Sequence, residues 1–189
     1  MKNIIAIPGS LRQNSLNLEL LKSVCAQFST EARVWIMPQA KLEWPLFNQD
    51  VPLPENLSKD LIEYKNLLKN SDGILIASPE YNASVSGVLK NFIDWLSREP
   101  NPFSNKKVGL ISISTSPFGG IRGLMHLRDI MAQLGAFVYP KNMCLYTNGT
   151  AYSEQQLRLI KDFAHNFFNF VDNKLQLQHN TSNMPLQLN

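Results

Sequence analysis

The sequence predicts an α/β protein in which one doubly wound parallel sheet of five strands lies between two layers of helices. Short apolar or β-branched runs alternate with longer segments of helical period, which is typical of successive βαβ units. Three of these runs are almost entirely apolar, as expected of strands that are buried on both faces. The chain has 189 residues, enough for one sizeable core and too few for two full domains.

The predicted strands and helices follow one another in strict alternation along the chain. Strands are predicted at 3–7, 32–37, 73–77, 108–114 and 136–146. Helices are predicted at 16–28, 57–69, 85–97, 120–134 and 153–171. The first helix carries an apolar stripe that is suited to packing on a sheet, formed by Leu16, Leu20, Leu21 and Val24.

Two segments fall outside this alternation. The connection 38–56 contains four prolines and presents Trp44 and Phe47 in what must be a long loop. Loops of this length are usually functional or disordered, and the two aromatic residues favour a packed loop. The stretch 175–189 is polar and rich in Gln and Asn, which predicts a disordered tail after a single domain at 1–174.

Charge and hydropathy argue against several classes of protein. The net charge is +3, but Lys and Arg are scattered and never occur three in a row, so a nucleic-acid partner is not expected. A mildly basic surface suits anionic small molecules instead. No apolar window approaches the roughly 20 residues that a membrane span needs, and the N-terminus does not resemble a signal peptide. We therefore expect a cytoplasmic protein without a membrane partner.

The cysteines and histidines do not form a metal site in the sequence. Cys25 and Cys144 belong to no CxxC motif or Cys/His cluster, so we expect reduced, buried thiols. His126, His165 and His179 lack a second ligand at metal-binding spacing, and each is expected at a helix surface or core edge. No GxSxG motif supports a serine hydrolase.

Three loops are candidates for binding chemistry, because open parallel sheets bind ligands at the carboxyl ends of their strands. The loop after the first predicted strand, PGSLRQNSLN, contains the parts of a phosphate site. Arg12 supplies a planar charged group, and side-chain donors beside the free amides of a helix start are offered by Ser10, Ser15 and Asn17. The alternative is a helix capped by Asn14 or Ser15, with Arg12 in solvent.

The loops after the third and fourth predicted strands are candidates for the rest of the same site. In SPEYNASVSG, a planar heterocycle could stack near Tyr81 while backbone groups bind its polar edge. The alternative for this loop is an ordinary turn followed by a helix start. In STSPFGGIRG, small residues allow a ligand to approach the backbone closely, so this loop is expected to form a second wall of the site.

Taken together, GSLRQNSLN, SPEYNASVSGVLKNFIDWLSR and GGIRGLMHLRDIMAQLGAFVYP resemble the NADPH-dependent FMN reductase family, which includes quinone-, azo-dye- and chromate-reducing members. The likeness covers about residues 3–146. It implies a flavodoxin-like fold with strand order 2-1-3-4-5, a bound FMN, and a homodimer or a homotetramer built from two dimers.

The resemblance also assigns cofactor contacts residue by residue. The FMN phosphate would be held by Ser10, Arg12, Ser15, Asn17 and the amide of Leu16. The isoalloxazine would be lined, largely through main-chain contacts, by Pro79, Glu80, Tyr81 and Asn82. The third flavin loop would contribute Ser114, Ser116 and Gly119.

The chain departs from the family pattern at two places. Ser86 stands where the family commonly has a proline that would start a helix. Phe118 stands in place of a glycine in a loop that is one residue shorter, which would narrow the space over the flavin and change the preference for acceptors.

The activity that the resemblance implies is hydride transfer from NADPH or NADH to FMN and then to a small acceptor. The flavin supplies this chemistry, so no catalytic side chain is predicted. The alternatives are a flavodoxin-like electron carrier, or a reductase that releases reduced flavin to a partner monooxygenase. Flavodoxins are usually strongly acidic, and the net charge of +3 favours the enzyme.

Two segments are candidates for contacts between subunits. Trp44 or Phe47 of a neighbouring subunit would cover the open face of the flavin, and the segment VLKNFIDW, 88–95, would form a helix-on-helix dimer contact. The alternative for 88–95 is that its apolar residues simply pack on the sheet.

Overall fold

The computed structural model describes residues 1–28, 30–149 and 151–172; the tail predicted at 175–189 lies outside them. The strands of this part of the chain are β1 (Lys2–Pro8), β2 (Ala32–Ile36), β3 (Gly73–Ala77), β4 (Glu80–Tyr81), β5 (Ser84–Val85), β6 (Lys107–Ser114), β7 (Phe137–Val138) and β8 (Met143–Tyr146). Its α-helices are α1 (Leu16–Cys25), α2 (Glu55–Lys69), α3 (Gly87–Leu96), α4 (Ile121–Gln133) and α5 (Glu154–Asp172). Short 3-10 turns occur at Ala26–Phe28 and Gln39–Leu42.

The main sheet is parallel and has the order β2-β1-β3-β6, followed by β7 and β8, which both pair with β6. The sheet therefore has five strand positions in the order 2-1-3-4-5, which confirms the predicted doubly wound topology. The strand order reverses between β1 and β3, and ligands of such sheets bind at that point. β4 and β5 form a separate antiparallel hairpin.

The fifth strand differs from its prediction because it is split into β7 and β8. Pro140 lies between the two pieces, and a proline has no N–H to donate to a strand ladder. Arg128 of α4 stabilises the break: its Nη2 donates to the carbonyl oxygens of Tyr139 at 2.7 Å and Pro140 at 3.2 Å, and to Oδ1 of Asn142 at 2.6 Å. The guanidinium thus replaces ladder bonds that the interrupted strand cannot form.

Helices cover both faces of the sheet, as predicted. α1 and α5 pack on one face, where buried side chains include Leu21, Val24 and Phe167. α2, α3 and α4 pack on the other, with Leu68 and Leu127 among the buried side chains. Every residue of β3 is buried, which explains why its sequence, GILIA, is uniformly apolar.

The long connection between β2 and α2 is packed, as predicted, but Trp44 is not exposed. Trp44 is 7% exposed, and its ring stacks on Tyr64 with a centroid separation of 6.3 Å. Phe47 packs edge-on against Trp95 at 4.9 Å. Asn91 of α3 fixes this segment, since its Nδ2 donates to the Trp44 carbonyl at 3.1 Å and its Oδ1 accepts from the Phe47 N–H at 2.7 Å. The expectation that Trp44 covers a neighbouring subunit's flavin is therefore wrong.

The helix at VLKNFIDW contributes mainly to the core of its own chain. Its buried residues include Leu89, Phe92, Ile93 and Trp95. On its outer side, Lys90 and Asp94 form an ion pair at 2.7 Å. Of the two alternatives for this segment, packing on the sheet accounts for its apolar residues.

Candidate functional site

The carboxyl ends of β1, β3 and β6 open onto one pocket of about 190 Å³. Its lining comes from the three loops that the sequence singled out, and all but three of the predicted contact residues belong to it. The exceptions are Asn82, Ser116 and Gly119, which belong to the same loops but do not line the pocket. The lining residues are Ser10, Arg12, Ser15, Leu16, Asn17, Pro79, Glu80, Tyr81, Ile113, Ser114 and Thr115.

Larger cavities lie elsewhere on the molecule. One of about 490 Å³ lies between β1, β2 and α2 and is lined by Trp35 and Glu63 among others. It lies away from the reversal of strand order and from any helix N-terminus. We place the functional site at the smaller pocket, because free backbone amides, a cation and an aromatic ring converge there at the topological switch point.

The loop after β1 is held by contacts to its backbone. The N–H of Gly9 donates to the Ala77 carbonyl at 2.7 Å, and a Cβ at position 9 would lie 2.8 Å from that oxygen. Only glycine fits this close approach. Two side chains that sequence analysis did not identify also bind the loop: Ser86 Oγ donates to the Gly9 carbonyl at 2.5 Å, and Gln39 Nε2 donates to the Ser10 and Arg12 carbonyls at 2.5 and 3.0 Å.

The start of α1 faces the pocket. Ser15 caps the helix, with its Oγ accepting the N–H of Leu18 at 3.3 Å. The N–H groups of the first helical turn have no intrahelical acceptor, so those of Leu16 and Asn17 are available to a ligand. Arg12 is exposed, and it is the cation among the residues that line the pocket. The capping alternative and the phosphate site are therefore compatible.

The side chain of Asn17 has a different partner from the one predicted. It is 5% exposed, and it exchanges two hydrogen bonds with the backbone of Ile113: Nδ2 to the carbonyl oxygen at 3.0 Å, and N–H to Oδ1 at 3.1 Å. These bonds tie α1 to the end of β6. The side chain of Asn17 is consequently engaged within the protein, and its backbone N–H is the group left free at the start of α1.

Glu80 is oriented away from the ligand space and toward the start of α4. Its side chain is 8% exposed and accepts from Nε of Arg122 at 2.8 Å. It also accepts the backbone N–H groups of Arg122 at 2.9 Å and Gly123 at 3.1 Å. Burial alone would raise the pKa of Glu80, but these hydrogen bonds outweigh burial and lower the pKa below its usual value.

Arg122 is a further residue that the sequence did not single out. Its guanidinium carbon lies 5.6 Å from the ring centroid of Phe118, so it bridges Glu80 and the third loop. The only sequence signal for it was GGIRG, where an arginine follows two glycines at a helix start. The negative charge of Glu80 is balanced by the positive charge of Arg122. The unbalanced charge at the pocket is therefore that of Arg12.

The segment after Pro79 is a hairpin rather than a turn that leads directly into a helix. Asn82 and Ala83 have φ of 50° and 62°, and both form the two-residue turn between β4 and β5. The hairpin leaves Tyr81 50% exposed at the pocket. The third helix then begins at Gly87, with Ser86 as its cap: Oγ accepts the Leu89 N–H at 3.4 Å. Serine thus starts the helix without the family's proline.

The third loop turns through two glycines in the left-handed region. Gly119 has φ 58° and Gly120 has φ 86°, and a Cβ at position 120 would lie 2.1 Å from Ser112 Oγ. Ser114 Oγ accepts the Ser116 N–H at 3.0 Å, which closes the start of the loop. Phe118, in the same loop, is 65% exposed.

Cys25 is buried as expected, whereas Cys144 is only partly buried, and two of the histidines lie at helix surfaces as expected. Both cysteines are free thiols, and burial raises the pKa of Cys25 to about 12 and that of Cys144 to about 11. His126 and His165 are exposed on α4 and α5, and Nδ1 of His126 lies 3.0 Å from Ser84 Oγ. His179 lies outside the described residues. Across residues 1–28, 30–149 and 151–172, no helix is long and apolar enough to cross a bilayer.

Comparison with solved structures shows the same architecture in flavoenzymes. The flavoenzyme NAD(P)H:(acceptor) oxidoreductase FerB of Paracoccus denitrificans superposes with a TM-score of 0.78 at 23% identity, over 90% of this chain and 97% of that one. An azoreductase of Bacillus anthracis superposes with a TM-score of 0.57 at 14% identity, over 90% and 99%. At these identities the likeness establishes the flavodoxin-like fold.

Sequence comparison is more specific. An NAD(P)H-dependent FMN reductase of Pseudomonas aeruginosa is 31% identical over 162 residues, which is 85% of this chain and 86% of the relative. A quinone reductase of Escherichia coli is 34% identical over 139 residues, 73% of each chain. The family model for NADPH-dependent FMN reductases matches residues 2–151, a range that contains all three loops of the pocket. The chain therefore belongs to the NADPH-dependent FMN reductase family.

Proposed function

We propose that this protein is an FMN-dependent oxidoreductase that passes hydride from NADPH or NADH, through bound FMN, to a small acceptor. Acceptors of the proposed class are quinones, azo compounds, metal oxyanions and free flavins. The observation that carries the proposal is the convergence of the α1 N-terminus, Arg12 and the Tyr81 hairpin on one pocket where the strand order reverses.

One end of the pocket has the donors that a phosphate monoester needs. The N–H groups of Leu16 and Asn17 lie at the positive end of the α1 dipole, and Arg12 adds a full positive charge. The hydroxyls of Ser10 and Ser15 line the same space. This donor set fits the phosphate of FMN, and these are the residues that would hold it.

The ring of the cofactor would lie along the outer rim. The pocket of about 190 Å³ is smaller than the roughly 300 Å³ at which pockets for whole ligands begin, which suits the phosphate and ribityl end. The ring would then extend past Pro79 and Tyr81 toward Asn82 on one side and Ser114, Ser116 and Gly119 on the other.

The protein's part in the proposed reaction is to bind and orient the reactants. When bound, FMN supplies the hydride-transfer chemistry itself. The exposed rings of Tyr81 and Phe118 would border the space that a nicotinamide or an acceptor enters, and the Arg122 guanidinium contacts the Phe118 ring at 5.6 Å. Phe118 is accordingly our proposed determinant of acceptor preference.

A homodimer or homotetramer is proposed as the functional form. It is supported by five apolar side chains that are exposed at the pocket end of the sheet, since exposed apolar patches mark interaction surfaces. They range from 41% for Leu11 to 65% for Phe118, with Tyr81, Met125 and Tyr146 between these values. Size-exclusion chromatography with light scattering tests this directly, and a strict monomer with full FMN occupancy would contradict it.

The cytoplasm is the proposed compartment, supported by two free thiols that form no disulfide. The competing function, an electron carrier without turnover, has less support because the chain is basic and its relatives are named as reductases. A third possibility, release of reduced flavin to a monooxygenase, would show as loss of yellow colour on gel filtration.

Steady-state turnover distinguishes the enzyme from the carrier. FMN-loaded protein is mixed with NADPH and a soluble quinone, and NADPH oxidation is followed by absorbance. We expect sustained oxidation over many equivalents of protein. Oxidation that stops after one equivalent would support the carrier and contradict the proposed reductase.

A further inference from the structure

We infer that Gln39 and Ser86 are positioning residues that give the pocket its preference for a phosphorylated ligand. They act by holding carbonyl groups of the loop after β1 away from the ligand. The inference rests on the proposed function, since it takes FMN as the ligand.

Three carbonyl oxygens of this loop accept hydrogen bonds from side chains that come from other parts of the fold. Ser86 Oγ donates to the Gly9 carbonyl at 2.5 Å. Gln39 Nε2 donates to the carbonyls of Ser10 at 2.5 Å and Arg12 at 3.0 Å. Ser86 is fully buried at the start of α3, and Gln39 is half-buried in the 3-10 turn after β2.

The orientation of these carbonyls determines the orientation of three N–H groups. In a planar trans peptide, the C=O of one residue and the N–H of the next point in opposite directions. The N–H groups of Ser10, Leu11 and Gln13 therefore point away from Ser86 and Gln39. Within the described part of the chain, none of the three donates to a protein acceptor. Those of Ser10 and Leu11 are successive, whereas the N–H of Arg12, which precedes Gln13, donates to Ser10 Oγ at 3.2 Å. Successive free N–H groups form anion-binding concavities.

Gln39 is suited to this task because it is a neutral donor. One amide group binds two carbonyls, so a single side chain orients two peptide planes. The carbonyls carry partial negative charge, and any of them turned toward the ligand would repel a phosphate. A glutamate at position 39 could not donate to the carbonyls, and it would add a negative charge beside the site.

Affinities for FMN and riboflavin distinguish this role from a general structural one. Riboflavin carries the ring and the ribityl chain but lacks the phosphate. The full-length chain is freed of cofactor, and each flavin is titrated by fluorescence quenching. For Gln39→Ala we expect FMN binding to weaken about tenfold through the loss of two hydrogen bonds, with riboflavin binding unchanged. Gln39→Glu should weaken FMN binding further and still leave riboflavin binding unchanged.

Gln27→Ala is the matched control. The Gln27 side chain also donates to a backbone carbonyl, that of Ser23 at 3.4 Å, but Gln27 lies in the 3-10 turn that follows the C-terminal end of α1. FMN and riboflavin should each bind to the Gln27→Ala variant as tightly as to the wild-type protein. Ser86→Ala tests the second donor: the preference for FMN over riboflavin should fall, and a thermal melt separately measures the cost of losing the α3 cap.

Two outcomes would overturn this inference alone, and a third would overturn the proposed phosphate site as well. Equal losses of FMN and riboflavin binding in Gln39→Ala would show a general structural role. Unchanged affinity for both would show that the loop keeps its shape without Gln39. A wild-type protein that binds FMN no more tightly than riboflavin would contradict the proposed phosphate site itself, and the inference with it.

Discussion

The buried carboxylate of Glu80 is paired with Arg122, and through this pair the hairpin after β3 is fixed to the start of α4. The carboxylate accepts two backbone N–H groups and Nε of the guanidinium. Since Arg122 in turn contacts Phe118, two of the three loops around the pocket are joined by one ionic contact. The geometry of the outer rim therefore depends on the charge of Glu80.

The lowered pKa of Glu80 predicts a loss of stability in acid. A carboxyl whose pKa is lower in the folded than in the unfolded state stabilises the fold above its unfolded pKa of about 4.5. That contribution is lost as the pH falls through the folded pKa. Glu80→Gln should therefore lower the free energy of unfolding by about 1–2 kcal/mol at pH 7, and the deficit should shrink in acid.

Urea denaturation between pH 7 and pH 3 measures this effect. Glu154→Gln is the control, because Glu154 is 89% exposed and its pairing with Arg158 at 3.5 Å is a surface contact. It should change stability little at any pH. A Glu80→Gln deficit that persists unchanged to pH 3 would contradict the role of the ionised carboxylate.

Removing the Asn17 side chain should destabilise the fold. Asn17→Ala leaves the N–H and C=O of Ile113 without partners in a buried position. We expect a loss of about 2–4 kcal/mol in the free energy of unfolding. Asn166→Ala is the matched control, since its Nδ2 bonds the Asp162 carbonyl at 2.7 Å on an exposed surface. Similar losses in the two variants would contradict the bridging role.

Replacing Arg12 should weaken the binding of FMN without unfolding the protein. The side chain is exposed at the pocket, so Arg12→Ala is expected to cost about 1.5–3 kcal/mol in FMN binding and little stability. Ser15→Ala should weaken FMN binding less than Arg12→Ala does. It should also lower the free energy of unfolding by about 1 kcal/mol, because the helix cap is lost. Arg158→Ala, which is remote from the pocket, serves as the control, and unaltered FMN affinity in Arg12→Ala would refute the phosphate contact.

Glycine at position 83 of the hairpin turn should give a more stable protein than the native alanine does. Ala83 has φ 62°, a conformation that costs L-residues about 1–2 kcal/mol, whereas glycine adopts it freely. Ala83→Gly is therefore expected to raise the free energy of unfolding by about 0.5–1 kcal/mol after the entropy of glycine is included. Ala164→Gly in α5 should do the opposite. A destabilised Ala83→Gly protein would show that the turn is not strained.

The strands of the sheet were predictable because their determinants are local, whereas their order was predicted only from the family resemblance. GILIA at β3 is apolar throughout and fully buried, so one short window predicts both its conformation and its position. The split of the fifth strand was signalled by Pro140, but its stabilisation by Arg128 depends on a helix earlier in the chain. The Asn82–Ala83 turn was missed because the second position lacks the glycine that usually marks it.

The pocket was predictable at the level of loops, and its internal bonding was not. Motifs placed Ser10, Arg12 and Tyr81 together because carboxyl ends of parallel strands share one edge. The partners of Asn17 and Glu80 lie 96 and 42 residues away, and no local pattern encodes such pairings. Gln39 was missed for the same reason, since it reaches the loop from a connection that the sequence marked only as long.

The most direct test of the account is the visible spectrum of the purified, FMN-loaded protein under anaerobic conditions, before and after the addition of NADPH. We predict that the flavin absorption bands bleach on addition and recover when a quinone is supplied. Bands that remain unchanged with both NADPH and NADH, in a protein whose FMN is bound, would contradict the assignment as an NAD(P)H-dependent reductase.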